Sequence, residues 1–147
     1  MTRTTTSYDP DNIFAKILRR EIPAHTVYED EKALAFLDIM PRASGHTLVI
    51  PKAPARNLLD VDPADLAHVM TVAQKVARAA MTAFEANGIT LQQFSEPAGG
   101  QVVFHLHLHV IPRRNRQDLL PPGSHGESED VLTHNAGALR AALAAGA

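Results

Sequence analysis

One stretch decides how the rest of the chain is arranged, and it reads Gly99-Gly100-Gln101-Val102-Val103-Phe104-His105-Leu106-His107-Leu108-His109-Val110-Ile111-Pro112-Arg113. Apolar residues from Val102 to Val110 alternate with a second set that contains three histidines. Side chains of a strand point alternately to its two faces, so the pattern predicts a strand with one hydrocarbon face and one row of imidazoles. The outer imidazoles would lie about 13 Å apart. Pro112, which has no N–H group, is expected to end the strand.

The residues around the histidines argue for function rather than packing. Gly99 and Gly100 have no Cβ, so backbone N–H groups there can approach a ligand closely. One histidine on a strand is usually a hydrogen-bonded core residue. A solvated strand face would more often carry Thr, Lys and Glu than three imidazoles. The combination predicts a functional site at His105, His107 and His109.

The bulk composition is typical of one soluble domain. The chain has 147 residues, of which 45% are hydrophobic and 20% charged, enough to bury a core. The net charge of -2 gives no electrostatic reason to bind nucleic acid or a membrane. The absence of cysteine excludes disulfides, a thiolate zinc site and a Cys nucleophile. No segment resembles a signal peptide or reaches the ~20 apolar residues that cross a bilayer, so we expect a cytoplasmic protein.

Turn and cap signals divide the first half of the chain. Residues 1–10 are expected to be a flexible tail. Apolar residues at helical spacing predict a short helix over 13–18, which Pro23 stops. The residues from 26 to 37 indicate a β-hairpin with a turn at 30–32. A third strand is expected over 46–50.

The second half begins with a long helix. Asp62 and Pro63 are typical of a helix start, and the apolar stripe that follows predicts a helix that covers the sheet and ends near Asn87-Gly88. A strand over 89–94 then leads into the histidine stretch. A last, weak helix is expected after Ser128.

The histidine stretch resembles the signature of the histidine-triad (HIT) family, His-φ-His-φ-His-φ-φ with φ apolar. Gly100-Gln101 is similar to the Gly-Gln that precedes that signature. Three more landmarks follow in the family's order, at residues 11–24, 35–39 and 45–52. The resemblance covers 11–113 and implies an α+β, HIT-like fold, with an antiparallel meander sheet of about five strands, one long covering helix and a short N-terminal helix. Residues 114–147 would extend the same domain, and the protein would be a homodimer.

The resemblance also implies hydrolysis at the α-phosphate of a purine nucleotide. His107 would be the nucleophile that forms a nucleotidyl-histidine, because neutral imidazole attacks phosphorus and also leaves it readily. His105 would hold His107 in one tautomer, and His109 would bind a phosphate oxygen and help to protonate the leaving group. His46 would complete the hydrogen-bond network. His109 stands where the nucleotidyltransferase branch has Gln, which indicates hydrolysis. No metal or other cofactor is expected, because imidazoles and backbone donors would carry the chemistry.

Further positions are expected to bind the nucleotide. Asp38 would accept hydrogen bonds from both ribose hydroxyls, because a carboxylate has two acceptor oxygens. Donors of the 99–101 turn would hold phosphate oxygens. Two positions depart from the family's pattern, since Val102 replaces a usual Ser or Thr and Ser95 stands near a usual Asn. The expected set is Ile13, Phe14, Ile17, Ile22, Phe36, Asp38, Ile39, Leu48, Ser95, Gly100, Gln101 and Val102.

Several alternatives stay open. Phosphoramidases and dinucleoside polyphosphate hydrolases use the same triad and differ in the leaving group. His-x-His pairs on strands also bind zinc, but three alternating imidazoles spread over about 13 Å converge poorly on one ion. A non-catalytic nucleotide-binding or scaffold protein would keep the same residues. The arginines at 113, 114 and 116 either steer phosphates at the mouth of the site or belong to a solvated loop.

Overall fold

The computed structural model describes residues 8–146. Its elements in chain order are α1 (Ile13–Leu18), β1 (Thr26–Glu29), β2 (Ala33–Leu37), β3 (Thr47–Pro51), α2 (Pro63–Ala83), β4 (Gly88–Gln92), β5 (Leu108–Arg113) and α3 (Glu129–Ala144), with a 3₁₀ turn at Pro97–Gly99. The predicted α+β class and the five-stranded antiparallel sheet are confirmed. No helix within the described residues has the length and apolarity needed to cross a membrane.

The strand order of the sheet is β1-β2-β3-β5-β4, and every neighbouring pair is antiparallel. The first three strands form a meander, as expected. Helix α2 then carries the chain across the sheet to the far edge, where β4 forms, and β5 returns between β4 and β3. The order of the last two strands therefore differs from that of a simple meander.

The main core lies between the sheet and the two long helices. Asp62 caps α2, since its side chain accepts a hydrogen bond from the Ala64 N–H, and Pro63 occupies the first turn. The expected apolar stripe of α2 packs on β2, β3 and β5. Helix α3, expected to be weak, buries its own apolar side in this core, with members that include Leu132, Ala136 and Leu139.

A second, smaller cluster lies on the opposite face of the sheet under α1. Its buried members are Phe14, Leu34, Phe36, Leu48 and Ile50. Because side chains alternate along a strand, β2 and β3 are buried on both faces, one by α2 and the other by α1. This second face carries the functional groups described below.

The predicted strand through all three histidines is wrong in its first half. Residues 101–107 form a loop, and β5 starts at Leu108. Val102 is 84% exposed and is not part of a core face. A strand needs a hydrogen-bonded neighbour, and β3 pairs with β5 only from Val49 to Thr47. The N–H of Leu106 instead donates to the carbonyl of Ala55, 2.9 Å away.

The ends of other elements also differ from the prediction. Pro112 lies inside β5, opposite Ile89, because β3 does not reach that far and no donor is needed on its side. Helix α2 ends at Ala83 rather than near Asn87-Gly88, and Glu85 takes the left-handed conformation with φ 49°. The tail expected over 1–10 lies outside the described residues up to residue 7, but Tyr8 is in place against His105.

Gly45, directly before His46, is a site where an added methyl group should destabilise the fold. Its φ is +88°, and a Cβ at this position would overlap the ring of Phe84. Gly45→Ala should lower the free energy of unfolding by about 2–4 kcal/mol, through left-handed strain and overpacking. Denaturant unfolding measures this change. Gly126→Ala is the matched control, because its Cβ would meet no atom within 4 Å, and equal losses in the two variants would contradict the prediction.

Candidate functional site

His107 is held in a single tautomer by the backbone of the same loop. Its Nδ1 lies 2.7 Å from the carbonyl oxygen of His105. A carbonyl can only accept, so Nδ1 carries the proton and Nε2 keeps a lone pair. Burial lowers the pKa of His107, which keeps this nitrogen unprotonated at neutral pH. The ring is therefore a neutral imidazole with a defined nucleophilic atom.

The free nitrogen of His107 is also accessible. Within residues 8–146, every fully buried side-chain nitrogen or oxygen has a hydrogen-bond partner. Nε2 of His107 makes no hydrogen bond in this part of the chain, so it cannot be fully buried, although the residue is only 8% exposed.

Both ring nitrogens of His105 are hydrogen-bonded, and the residue has no exposed surface. Its Nε2–H donates to the carbonyl of Pro51 at 2.8 Å, and its Nδ1 accepts from the hydroxyl of Tyr8 at 2.6 Å. Desolvation lowers the pKa of His105 to about 4. These bonds fix the backbone of His105 and, with it, the carbonyl that orients His107.

A second chain of hydrogen bonds fixes His46 and His109. The backbone N–H of Arg42 donates to Nδ1 of His46 at 3.1 Å, so the proton of His46 is on Nε2. That Nε2–H donates to Nδ1 of His109 at 2.9 Å. His109 must then carry its own proton on Nε2, the nitrogen that is left for a ligand. Burial, with help from neighbouring charges, lowers the pKa of His46 to about 3 and that of His109 to about 4.

Asp38 follows β2 and lies beside this pair. Its Oδ1 accepts from the N–H of Met40 at 2.9 Å, and its Oδ2 is 3.7 Å from Nε2 of His46. Burial raises the pKa of Asp38. One carboxylate oxygen is therefore tied to the loop and the other remains available near the histidines.

Asp38, His46 and His109 could also hold a metal ion, since their ligand atoms lie within 4.8 Å of one another. Two imidazoles and a carboxylate suit zinc. An ion that used Nε2 of His46 and Nδ1 of His109 would have to displace the proton that now joins them. The metal alternative raised by the sequence concerned the three histidines of the triad, of which only His109 belongs to this group. The expected absence of a metal stays a prediction.

Aromatic rings form a row across the site face. Ring centroids are 5.4 Å apart between Phe36 and Phe14, 4.8 Å between Phe14 and His107, 4.9 Å between His107 and His109, and 5.5 Å between His109 and Phe94. The row runs from the cluster under α1 to the start of the loop after β4. The row therefore connects the cluster under α1 with the histidines of the site.

A depression of about 320 Å³ opens beside the α1 end of this row, a size within the usual range for small-molecule pockets. Ile17 and Ile22 of the expected base pocket line it, together with polar residues that include Arg20 and Glu29. The other expected apolar members divide by exposure. Phe14, Phe36 and Leu48 are buried in the adjacent cluster, whereas Ile13 and Ile39 are 45% and 58% exposed.

The side chain of Gln101 stabilises the loop through hydrogen bonds at both its oxygen and its nitrogen. Its side-chain oxygen accepts from Asn57 and from the backbone of Glu96, at 3.1 and 2.8 Å. Its amide group donates to the carbonyls of Arg56 and Val103, at 2.8 and 3.0 Å. Both ends of this side chain are therefore used within the protein, and they hold the loop that carries the histidines.

The N–H groups of Gly99, Gly100 and Gln101 are likewise used within the turn, where they donate to the carbonyls of Glu96 and Pro97. They do not supply the free phosphate donors expected from the sequence. Within residues 8–146 the N–H groups of Val102 and Val103 make no hydrogen bond, and neither do those of Phe104, His105 and His107, so the available backbone donors lie after the turn. Ser95 donates to Gln93 at 3.1 Å and is already engaged.

Several site residues were missed by the sequence analysis. Tyr8 contacts His105 from 97 positions away, and no local pattern predicts that pairing. Asn57 is 1% exposed and joins Gln101 to Glu96, but in sequence it resembles an ordinary turn residue. Arg113 donates to Thr90 at the distal end of β5, whereas the arginine near His109 is Arg42.

Fold and site together define a small α+β domain whose sheet presents a fixed cluster of neutral histidines. The HIT domain family matches residues 19–116. A Hit-like protein from Bartonella henselae, described as involved in cell-cycle regulation, is 50% identical, with a TM-score of 0.90 over 93% of this chain and 99% of that one. The chain therefore belongs to the HIT family, whose members are nucleotide-binding histidine triad proteins.

Two more solved structures show the range of this similarity. A hypothetical histidine triad nucleotide-binding protein from Sulfolobus tokodaii is 33% identical, with a TM-score of 0.81 over 90% of this chain and 91% of that one. A zinc-bound histidine triad family protein from Mycobacterium smegmatis is 40% identical, with a TM-score of 0.82 over 92% and 94%.

The buried histidines should make stability depend on pH. His46, His105 and His109 have pKa values of about 3, 4 and 4 when folded, against about 6.5 when unfolded. Between these values the unfolded chain binds more protons, so the free energy of unfolding rises with pH and is lost as pH falls from about 6.5 to 4. Each histidine contributes up to about 1.4 kcal/mol per pH unit.

Denaturant unfolding at pH steps from 4 to 8 measures this slope. His105→Gln and His46→Gln should each flatten the curve below pH 6.5, even if they lower stability at pH 7. A free energy of unfolding that is constant from pH 6.5 to 5 would contradict burial of neutral rings.

Proposed function

We propose that this protein hydrolyses nucleotides at the α-phosphate, acting on purine nucleoside phosphoramidates or other adenylated substrates through a covalent nucleotidyl-histidine. The observation that carries the proposal is the pinned ring of His107, with Nδ1–H on the carbonyl of His105 and an accessible lone pair on Nε2. A neutral imidazole attacks through the nitrogen that carries no proton, and in this tautomer that nitrogen is Nε2.

In the first step, Nε2 of His107 attacks the α-phosphorus and the bond to the leaving group breaks. The leaving atom keeps the electron pair. The Nε2–H of His109 donates to a phosphate or leaving-group oxygen. A bound phosphate anion raises the pKa of His109, so the ring takes up a second proton from solvent, gives its Nε2 proton to an amine leaving group and returns to the neutral form. In the second step, water attacks the phosphorus and gives a proton to the neutral ring of His109, the P–N bond breaks with its electron pair returning to Nε2 of His107, and a nucleoside monophosphate is released.

The remaining residues bind the substrate. The base packs on the apolar residues under α1, of which Ile17 and Ile22 line the depression and Phe14 contacts His107. Asp38 accepts from the ribose hydroxyls with its available oxygen. The free N–H groups of Val102 and Val103 hold phosphate oxygens, where backbone donors stabilise developing charge.

A dinucleoside polyphosphate hydrolase is the alternative within the same chemistry, and a non-catalytic nucleotide-binding or scaffold protein is the alternative outside it. The homodimer that the resemblance implies is also part of the proposal. Strand β4 is an edge of the sheet and exposes Leu91, and a second copy could pair along this edge. Sedimentation of the purified protein tests the dimer.

The nucleophile is tested by intact-mass analysis after rapid quenching with a slow adenylated substrate. The wild-type protein should gain one nucleotidyl group. His107→Ala should gain none and lose turnover, while its melting temperature and its binding of AMP stay close to wild type. His134→Ala, at an exposed position, is the control and should keep the adduct. An adduct on His107→Ala would refute the assignment.

The ribose contact is tested by sugar discrimination. A carboxylate that accepts from both hydroxyls loses a charge-assisted hydrogen bond when the 2′-hydroxyl is removed, typically ~1.5–3 kcal/mol. The wild-type kcat/KM should therefore be about 10- to 150-fold higher for ribonucleotides than for 2′-deoxynucleotides. Asp38→Asn should reduce this ratio. The same ratio in both proteins would rule out a ribose role for Asp38.

A further inference from the structure

Arg42, in the loop between β2 and β3, has its guanidinium fixed on the site face of the sheet. Nε donates to the carbonyl of Leu120 at 2.9 Å, and Nη1 donates to the side-chain oxygen of Gln92 at 3.3 Å. Gln92 is paired with His109 across β4 and β5, and directly paired residues share a face. The guanidinium therefore lies on the β4 side of His109.

The positive charge of Arg42 has no anionic partner in the described part of the chain. Both acceptors are neutral amide or carbonyl oxygens. The ion pairs that residues 8–146 form within 4.0 Å all involve other cations. A guanidinium has five N–H donors, and Nη2 makes no hydrogen bond within these residues. The charge is close enough to His46 and His109 to lower the pKa of both rings, in addition to burial.

Arg42 lies near the His109 end of the aromatic row. The row starts at Phe36 and Phe14, passes His107, and reaches His109. If the base lies under α1 and the α-phosphate meets His107, as in the proposed function, the substituent beyond the α-phosphate extends toward the β4 end. Arg42 lies at that end. Neutral acceptors hold its guanidinium in place, and its Nη2 donors are unused within the described residues.

We propose that Arg42 binds the phosphate that follows the scissile bond, so that it sets a preference for substrates whose leaving group is a phosphate. When Nε2 of His107 bonds to the α-phosphorus, the P–O bond to the next phosphate breaks and its oxygen keeps the electron pair. That phosphate gains one negative charge, and a planar guanidinium is well suited to bind it. An amine leaving group gains no such charge. This inference rests on the proposed function.

A purely structural role for Arg42 makes a different prediction. Its backbone also matters, because its carbonyl accepts from Leu120 and its N–H orients His46. Loss of the side chain would then loosen both backbone contacts, and the turnover of every substrate would fall to the same extent. The decisive quantity is therefore the ratio of kcat/KM for two substrates with different leaving groups.

The substrates are diadenosine tetraphosphate, which releases ATP, and adenosine 5′-phosphoramidate, which releases ammonia. Arg42→Gln should lower the ratio of kcat/KM, tetraphosphate over phosphoramidate, by about 10- to 100-fold, as expected for one charge-assisted hydrogen bond. Arg42→Lys should recover part of the ratio, since it keeps the charge but not the fork. Arg116→Gln, on the exposed basic loop after β5, should leave the ratio unchanged. A ratio within twofold of wild type in Arg42→Gln would overturn the proposal.

A binding measurement separates this proposal from the proposed function. In a His107→Ala background, which prevents turnover, calorimetry compares AMP with ADP, whose second phosphate should reach Arg42. ADP should bind at least about 10-fold more tightly than AMP, and Arg42→Gln should remove the difference. This result would support Arg42 even if the wild-type protein formed no nucleotidyl adduct. Equal affinities for AMP and ADP before the Arg42 substitution would refute it.

Discussion

The hydrogen bond from Nδ1–H of His107 to the carbonyl of His105 is the constraint on which the rest of the site depends. It selects the tautomer of His107 and so determines which nitrogen is free. The bond joins residues only two positions apart, and it forms because the backbone there is not a strand. In a regular strand the two imidazoles would lie about 6.6 Å apart in register, and the carbonyl between them would serve the ladder. The hydrogen bond that selects this tautomer therefore depends on the loop before β5.

The loop keeps this shape because polar side chains substitute for the missing ladder. Gln101 uses both its amide hydrogens and its oxygen on the surrounding backbone and on Asn57, and Glu96 joins Asn57 to Arg56. Asn57 and Gln101 are the buried members of this network, and buried polar groups are stabilising only when they are satisfied. Within the described residues no buried side-chain polar atom lacks a partner. Burial also lowers the pKa of each site histidine. The network that shapes the loop thus provides the neutral imidazoles that the proposed chemistry needs.

Sequence patterns predicted the elements that depend on local signals. The hairpin of β1 and β2 was predicted to the residue, and Asp62 and Ser128 were recognised as helix caps. The patterns failed where a distant partner decides the conformation. Alternation from Val102 to Val110 indicated one strand, but only the part opposite β3 has a neighbour to pair with. The role of Gln101 was misjudged for the same reason, because its partners lie at positions 56 and 57.

Residues near the two ends of the described chain contact the site from outside the segment that the HIT domain family matches. The HIT match covers residues 19–116, yet Tyr8 holds His105, and Leu120 exchanges two hydrogen bonds with Arg42. The N–H of Glu127 also donates to the carbonyl of Ile39, beside Asp38. Residues outside the match therefore help to hold both His105, whose carbonyl orients His107, and the loop from Asp38 to His46. Differences in leaving-group preference among relatives should then follow the segment after β5 more closely than the histidines themselves.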